Sequence, residues 1–488
     1  MFAEHRSLYV GVAKAFLMLL IAIAFCRIMG AVFIALLGVF GVCWSLCRKN
    51  VRALAVYSLL PLMIIMSPAI VPKTELIGAE LRIAPLIIGL AMCVGVGRRK
   101  GAYRLPFGAL FLYLFCSCIS SATGWSPMIS YLKTLNFIVF LLGIWIGTQN
   151  LQENPQEVYG LRCVFLGLIC VIVFGSLATL PFPTISYSTS LAYHNTLSEA
   201  EKLAYLANLE NDGGVTLFSG IANHSQALSP MLAVCFTLVL ADMVFIVEKM
   251  SILHATIIVA SALELFMTRS RTGLLSLVVG VATVLFYASR KVRMSWRSRM
   301  AVKKLVSVGV ALLIIVVGIS EIKSHAVSRW ILKTNDLASV CKGAVIDQVA
   351  GSRQGLIEKS LQEFKMNPLF GMGFQVNWET QELFSKRGGL ILSAPVEKGL
   401  LVTTILGEGG LVGSLAFLAF LISFYTICGR KKLVLSIVMF TTMLATNFGE
   451  ATFFSSGGVG GIIWVLCVVG GFTLDMNLMQ KQRGLGLC

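Results

Sequence analysis

From residue 8 to residue 475 the chain is a succession of apolar runs, most of them close to twenty residues long, divided by short polar breaks. Wound as a helix, a run of that length spans about 30 Å, the hydrocarbon thickness of a bilayer. Composition agrees: 57% of residues are hydrophobic and 13% charged, against about 45–50% and 25% in soluble domains, and the mean hydropathy is +0.84. Runs near 8–26, 28–47, 52–71, 81–97, 105–122, 131–148, 160–180, 223–247, 251–268, 272–289, 305–320, 400–427, 433–448 and 457–475 predict an all-α, polytopic transmembrane helix bundle of about 14 (12–14) helices. The whole of 1–488 reads as one integral membrane domain. The first run resembles a signal peptide, but no soluble domain follows it, so it is read as a retained first helix.

The net charge of +17 does not point to nucleic acid. Lys and Arg gather in short clusters between apolar runs: Arg48, Lys49 and Arg52; Arg98 to Arg104; RKVRMSWRSR at 290–299 with Lys303 and Lys304; Arg430 to Lys432; Lys481 and Arg483. Each cluster follows an even-numbered run. Basic residues stay on the cytoplasmic side, so both termini are expected there. Thirteen cysteines fall mostly inside apolar runs with no CxxC pair, and the five histidines lack metal-ligand spacing, so neither a disulfide framework nor a metal site is indicated.

This topology puts two long segments on the outer side, 181–222 and 321–399. Within the second, SRQGLIEKSLQEFKMNPLFGMGF predicts an amphipathic helix capped by Ser352, with Leu356, Ile357, Ser360, Leu361 and Phe364 on one face and Pro368 ending it. The loop is expected to lie on the membrane surface. On the same side RSRTG, residues 269–273, puts Arg269 and Arg271 at the head of a helix that Ser270 can cap. Two guanidiniums beside a helix N-terminus suit phosphate oxygens; the alternative is that both snorkel to lipid headgroups. Arg353 and Lys398 are expected at the same face.

Four stretches in order resemble the O-antigen ligase and O-antigen polymerase superfamily: FSGIANHSQALSPMLAV (218–234), SRTGLLSLVVG (270–280) with Arg271 and Leu275 in an R-x3-L pattern, GSRQGLIEKSLQEFKMNPLFGMGF (351–374), and EKGLLVTTILGEGGLVGSLAFL (397–418). Together they outline a family-like catalytic core over 218–420. The resemblance implies a metal-independent, cofactor-free glycosyltransferase of the bacterial inner membrane, its active site facing the periplasm. The donor would be an undecaprenyl-diphosphate-linked oligosaccharide. A chain-length regulator or other polysaccharide assembly protein is the kind of partner implied. The ligase branch carries a His-Asn pair ahead of its glutamate helix. Here Glu397 and Lys398 occupy that place, which favours a polymerase of repeat units over a ligase acting on lipid A core.

The expected chemistry is displacement of the diphosphate by an acceptor hydroxyl. Arg271, Arg269, Arg353 and Lys398 are the candidates to hold the diphosphate. Glu397, then Glu408, are the candidate bases or orienting carboxylates; Glu408 is equally readable as a structural hydrogen-bonding group. His224 is a weaker candidate for contact with sugar hydroxyls. Glu264, a carboxylate inside an apolar run, either pairs with an arginine or stays protonated. Two other classes fit an apolar bundle. A lipid-linked oligosaccharide flippase should carry repeated halves with charges near the midplane, and no repeat is evident. A scaffold for an assembly complex should tolerate loss of the arginines.

Overall fold

The structure is a computed structural model, and it describes residues 2–29, 103–122, 124–151, 155–188, 217–222, 224–247, 251–290, 345–377, 399–449 and 452–482. Besides a single turn at Pro183–Ser186, the helices are α1 (Phe2–Met29), α2 (Arg104–Ser121), α3 (Pro127–Leu151), α4 (Pro155–Ala178), α5 (Ser225–Asp242, extended by a π-helical turn Met243–Val247), α6 (Ile252–Met267), α7 (Arg271–Arg290), α8 (Val345–Met366), α9 (Leu401–Arg430), α10 (Val434–Thr446), α11 (Gly458–Trp464) and, after a π-helical turn Val465–Gly470, α12 (Gly471–Gln482). A two-residue antiparallel pairing joins β1 (Tyr187–Ser188) to β2 (Leu217–Phe218). The all-α bundle expected from the sequence is what forms, and seven described spans have the length and hydropathy to cross a membrane. The runs at 28–47, 52–71, 81–97 and 305–320 lie outside the described residues, except for the overlap of the first with the end of α1.

Side-chain contacts fix which helix ends lie together. Ser7 bonds Tyr159 at 2.9 Å, Tyr9 bonds Ser251 at 2.7 Å, and the Lys481 ammonium donates to the Ile246 carbonyl at 2.7 Å. The beginning of α1 and the end of α12 therefore share one end of the bundle. Arg104, Arg290, Arg430, Lys431 and Lys432 head or close helices at that same end, hereafter the basic end.

Two polar knots tie the basic end together. Asp475 of α12 accepts hydrogen bonds from the backbone N–H groups of Leu435 and Ser436 at 2.9 and 2.7 Å, and from the Ser436 hydroxyl at 2.7 Å. A carboxylate on one helix thus satisfies donors that the first turn of α10 leaves open. Tyr103, just ahead of α2, donates to Ser436 at 2.7 Å. In the second knot Arg162 of α4 grips Asp242 of α5 through two bonds of 2.8 and 2.9 Å, and His254 Nε2 of α6 meets the same carboxylate at 2.8 Å.

Packing elsewhere follows the rule for helices in lipid, where burial against lipid tails offers no gain and close backbone approach does. The buried residues of α7 form a single stripe, Gly273, Ser276, Gly280, Val284 and Ala288; Gly280 sits against Thr237 of α5 and Thr442 of α10. Leu274, Leu275, Val278 and Phe286 face outward. α4, α5 and the last helices are buried nearly all round. Between α2, α9, α10 and α11 lies an aromatic core in which Phe424 stacks on Phe440 at 4.0 Å and Phe453 meets Trp464 edge-on at 4.9 Å.

Two local expectations are corrected. α8 begins at Val345, so Ser352 is an interior helical residue and not an N-cap. The segment after α8 does not stay on the surface: Pro368, Leu369 and Phe370 are exposed, but Phe374, Gln375 and Val376 are buried, and 378–398 lies outside the described residues. The reason is a break in α9. Gly410 has φ 59° and ψ −157°, outside the helical region. The backbone groups freed there bond the incoming loop, with Leu411 N–H to the Pro368 carbonyl at 2.9 Å, Val412 N–H to Leu369 at 3.1 Å, Met372 N–H to Gly407 at 2.8 Å and Gly373 N–H to Glu408 at 3.2 Å. Irregular backbone buried in a helix bundle is tolerated only when the protein itself supplies such partners.

Candidate functional site

The site is built at the end opposite the basic one. Ser270 caps α7: its hydroxyl accepts from the Gly273 N–H at 3.4 Å and from the Ser229 hydroxyl of α5 at 2.6 Å. The sequence-based cap is therefore present, and Arg271 stands as the first residue of α7. Arg269 lies in the turn between α6 and α7 with φ 48°, a left-handed conformation. Non-glycine residues there are uncommon and carry of order 1 kcal/mol of strain. Both arginines are half-buried. Burial lowers the pKa of Arg269, because desolvation penalises its charge; an arriving anion would offset that penalty.

A chain of contacts leads from these arginines to the head of α9 and the middle of α8. Gly449, after α10, packs against Thr272. Asn447 accepts from the Leu401 N–H at 3.2 Å. A Cβ on Gly399 would stand 3.3 Å from Leu356 of α8. α8 then runs alongside the first turns of α9, so that Gly407 lies against Ser360 and Glu363. Arg353 is one turn ahead of Leu356 on α8, and nothing is described of its side chain. Glu397 and Lys398 lie outside the described residues, immediately before Gly399. The starts of α7 and α9 thus flank the segment 447–449, and the second half of α8 packs along the start of α9.

Glu408 is deeper, two turns into α9 and fully buried. Its carboxylate accepts from Tyr113 of α2 at 3.4 Å and from the Gln375 amide at 3.3 Å, while its backbone carbonyl accepts from Ser120 at 2.9 Å. Lys133 of α3, also buried, donates to the Gln375 carbonyl at 2.9 Å. Ser130 donates to the Phe374 carbonyl at 2.9 Å and pairs with Ser121 at 2.5 Å. These groups clamp the returning loop 371–377. Gly371 and Gly410 allow the approach: a Cβ on either would fall 2.5 Å from the opposite backbone.

His224 is the N-cap of α5, its Nδ1 accepting from the Gln226 N–H at 3.1 Å. Glu264 is fully buried on α6, and neither carboxyl oxygen has a hydrogen-bond partner among the described residues. Lys133, Tyr113 and Gln375 are the members of the Glu408 cluster that sequence reading missed. Lys133 alone left a signal, a cation just inside the run at 131–148.

These features define an all-α membrane protein with a buried loop packed into a broken helix and two arginines at the turn that starts α7. Residues 256–392 match the family model for O-antigen ligase, which bears out the resemblance to the O-antigen ligase and polymerase superfamily and indicates glycan transfer of that type. The match takes in Arg269, Arg271 and Arg353 and stops short of Glu397 and Glu408. No curated protein matches the chain.

Proposed function

We propose that the chain transfers an oligosaccharide from undecaprenyl diphosphate to the hydroxyl of a second lipid-linked unit, on the periplasmic side of the inner membrane, and so polymerises a surface polysaccharide. The observation that carries this reading is the pair Arg269 and Arg271 at the head of α7, the first in a left-handed turn, opposite the basic end. With both termini cytoplasmic, that head faces the periplasm. The acceptor oxygen bonds to the anomeric carbon as the carbon–oxygen bond to the diphosphate breaks. Charge growing on the leaving diphosphate is held by Arg271 and Arg269, joined by Arg353 and Lys398. Glu397 takes the acceptor proton. His224 remains a weaker candidate for sugar contact. An apolar cavity of about 420 Å³ between α9 and α10, walled by Leu401, Ile405, Phe417, Leu421, Leu444 and Phe448, suits the polyprenyl tail beside the head of α9.

Glu408 works in this reading by positioning the loop, because its oxygens face Tyr113 and Gln375. Glu408→Gln keeps the size and an acceptor oxygen, so it should keep transfer within about tenfold of wild type, whereas Glu408→Ala loses both fold stability and transfer. A loss of about 100-fold or more in Glu408→Gln at unchanged thermal stability would make Glu408 the base.

Ligase activity on lipid A core is the second reading, favoured by the description of the matching family. Deleting the protein and running the surface glycan on a gel separates the two: a polymerase defect leaves single repeats attached, a ligase defect leaves bare core. In complementation, Arg271→Ala should lower transfer by about 100-fold or more. Rescue by Arg271→Lys would favour charge over a two-pronged contact. Full activity of Arg271→Ala would remove the arginine from the mechanism.

A further inference from the structure

At the basic end a second cavity, about 720 Å³, opens between α2 and α9. Its polarity is sorted along the helix axis. Arg104, Arg430 and Lys431 ring one end. Leu105, Gly108 and Leu112 continue down α2, and Ile427 faces them from α9. From Arg104 to Leu112 is about 12 Å of helix. The floor is open at Gly108, where a Cβ would meet nothing within 4 Å. All three cations are exposed, and no carboxylate is among the described lining residues.

A soluble anion would use the cations and leave the apolar wall idle. A neutral lipid would use the wall and leave three charges unmatched. A molecule with an anionic head and an acyl chain matches both, and basic pockets between helices on the cytoplasmic side recognise such headgroups. We infer that this groove is a binding site for one anionic phospholipid of the inner leaflet, its phosphate among Arg104, Arg430 and Lys431 and its acyl chain along Leu105, Gly108 and Leu112. The site lies at the end of the α2–α9 pair opposite the Glu408 cluster, so the lipid would brace the helices that clamp the re-entrant loop.

Native mass spectrometry of the purified full chain, titrated with dioleoylphosphatidylglycerol, tests this. One copy should be retained where dioleoylphosphatidylcholine is shed. Glycerol phosphate in large excess should not displace it. Each cation near the surface is worth about a factor of five in affinity, so Arg104→Gln/Arg430→Gln/Lys431→Gln together should weaken binding by about 100-fold. Gly108→Leu fills the groove with the charges intact and should also abolish retention, which guards against a triple variant that folds poorly. Arg290→Gln removes a cation at the same end outside the groove and should change nothing. Wild-type phosphatidylglycerol retention by both the triple variant and Gly108→Leu would overturn the site. Equal retention of phosphatidylcholine, or displacement by glycerol phosphate, would overturn it as well.

Discussion

Gly410→Ala will detach α9 from the loop packed at its break. With φ 59° and ψ −157°, position 410 lies where essentially only glycine is found, and a Cβ there would be 2.5 Å from the carbonyl carbon and oxygen of Leu369 and 2.6 Å from the Phe370 nitrogen. These are backbone atoms and cannot rotate away. Relief requires moving the loop, which breaks the bonds from Leu411 and Val412 to Pro368 and Leu369. Backbone strain and lost hydrogen bonds together should cost ~3 kcal/mol or more. The measurement is the thermal midpoint of detergent-solubilised protein, with protease sensitivity of 367–377 as a local readout. Gly355→Ala is the control: its Cβ enters open space on a helix, and it should be neutral or stabilising by up to ~1 kcal/mol. Indistinguishable midpoints for the two variants would mean that the break in α9 does not hold the loop.

The second large effect is at the opposite end. Asp242→Ala leaves the Arg162 guanidinium with no carboxylate and His254 with no partner on Nε2, both deep in the bundle. Removing one member of a buried ion pair costs ~3–5 kcal/mol, because the remaining charge has neither water nor counter-charge. Replacing the whole knot, as Arg162→Met/Asp242→Leu/His254→Leu, should recover most of that loss, since apolar groups of similar volume often match a buried pair in stability. The thermal midpoints of the single and triple variants decide the point. A triple variant no more stable than Asp242→Ala would show that the knot contributes geometry that packing cannot replace.

Fold class was legible because lipid leaves the backbone few choices. Runs such as 105–122, 223–247 and 272–289 differ from α2, the α5 span and α7 by a few residues at most. The Ser270 cap was legible because an N-cap is a contact within one turn of chain. The burial of loop 371–377 was not. Its apolar and glycine content fits a surface loop or a re-entrant one equally, and the partners that decide, Ser121, Ser130 and Lys133, are more than two hundred residues away in the chain. Glu408 shows the same limit. One glutamate among glycines reads as a base or as a structural acceptor until Tyr113 and Gln375 are seen on its oxygens.

By itself the sequence determined that the chain is an all-α bundle of apolar helices, and where the described spans begin and end to within a few residues. Both follow from composition within one helix length and from the cost of bare backbone in hydrocarbon. Tertiary structure alone decided that α9 breaks at Gly410 to receive the loop, that Asp242 joins three helices, and that the segment after α10 touches the heads of both α7 and α9. Each depends on atoms far apart in the chain approaching within hydrogen-bond distance, and no local pattern encodes that approach.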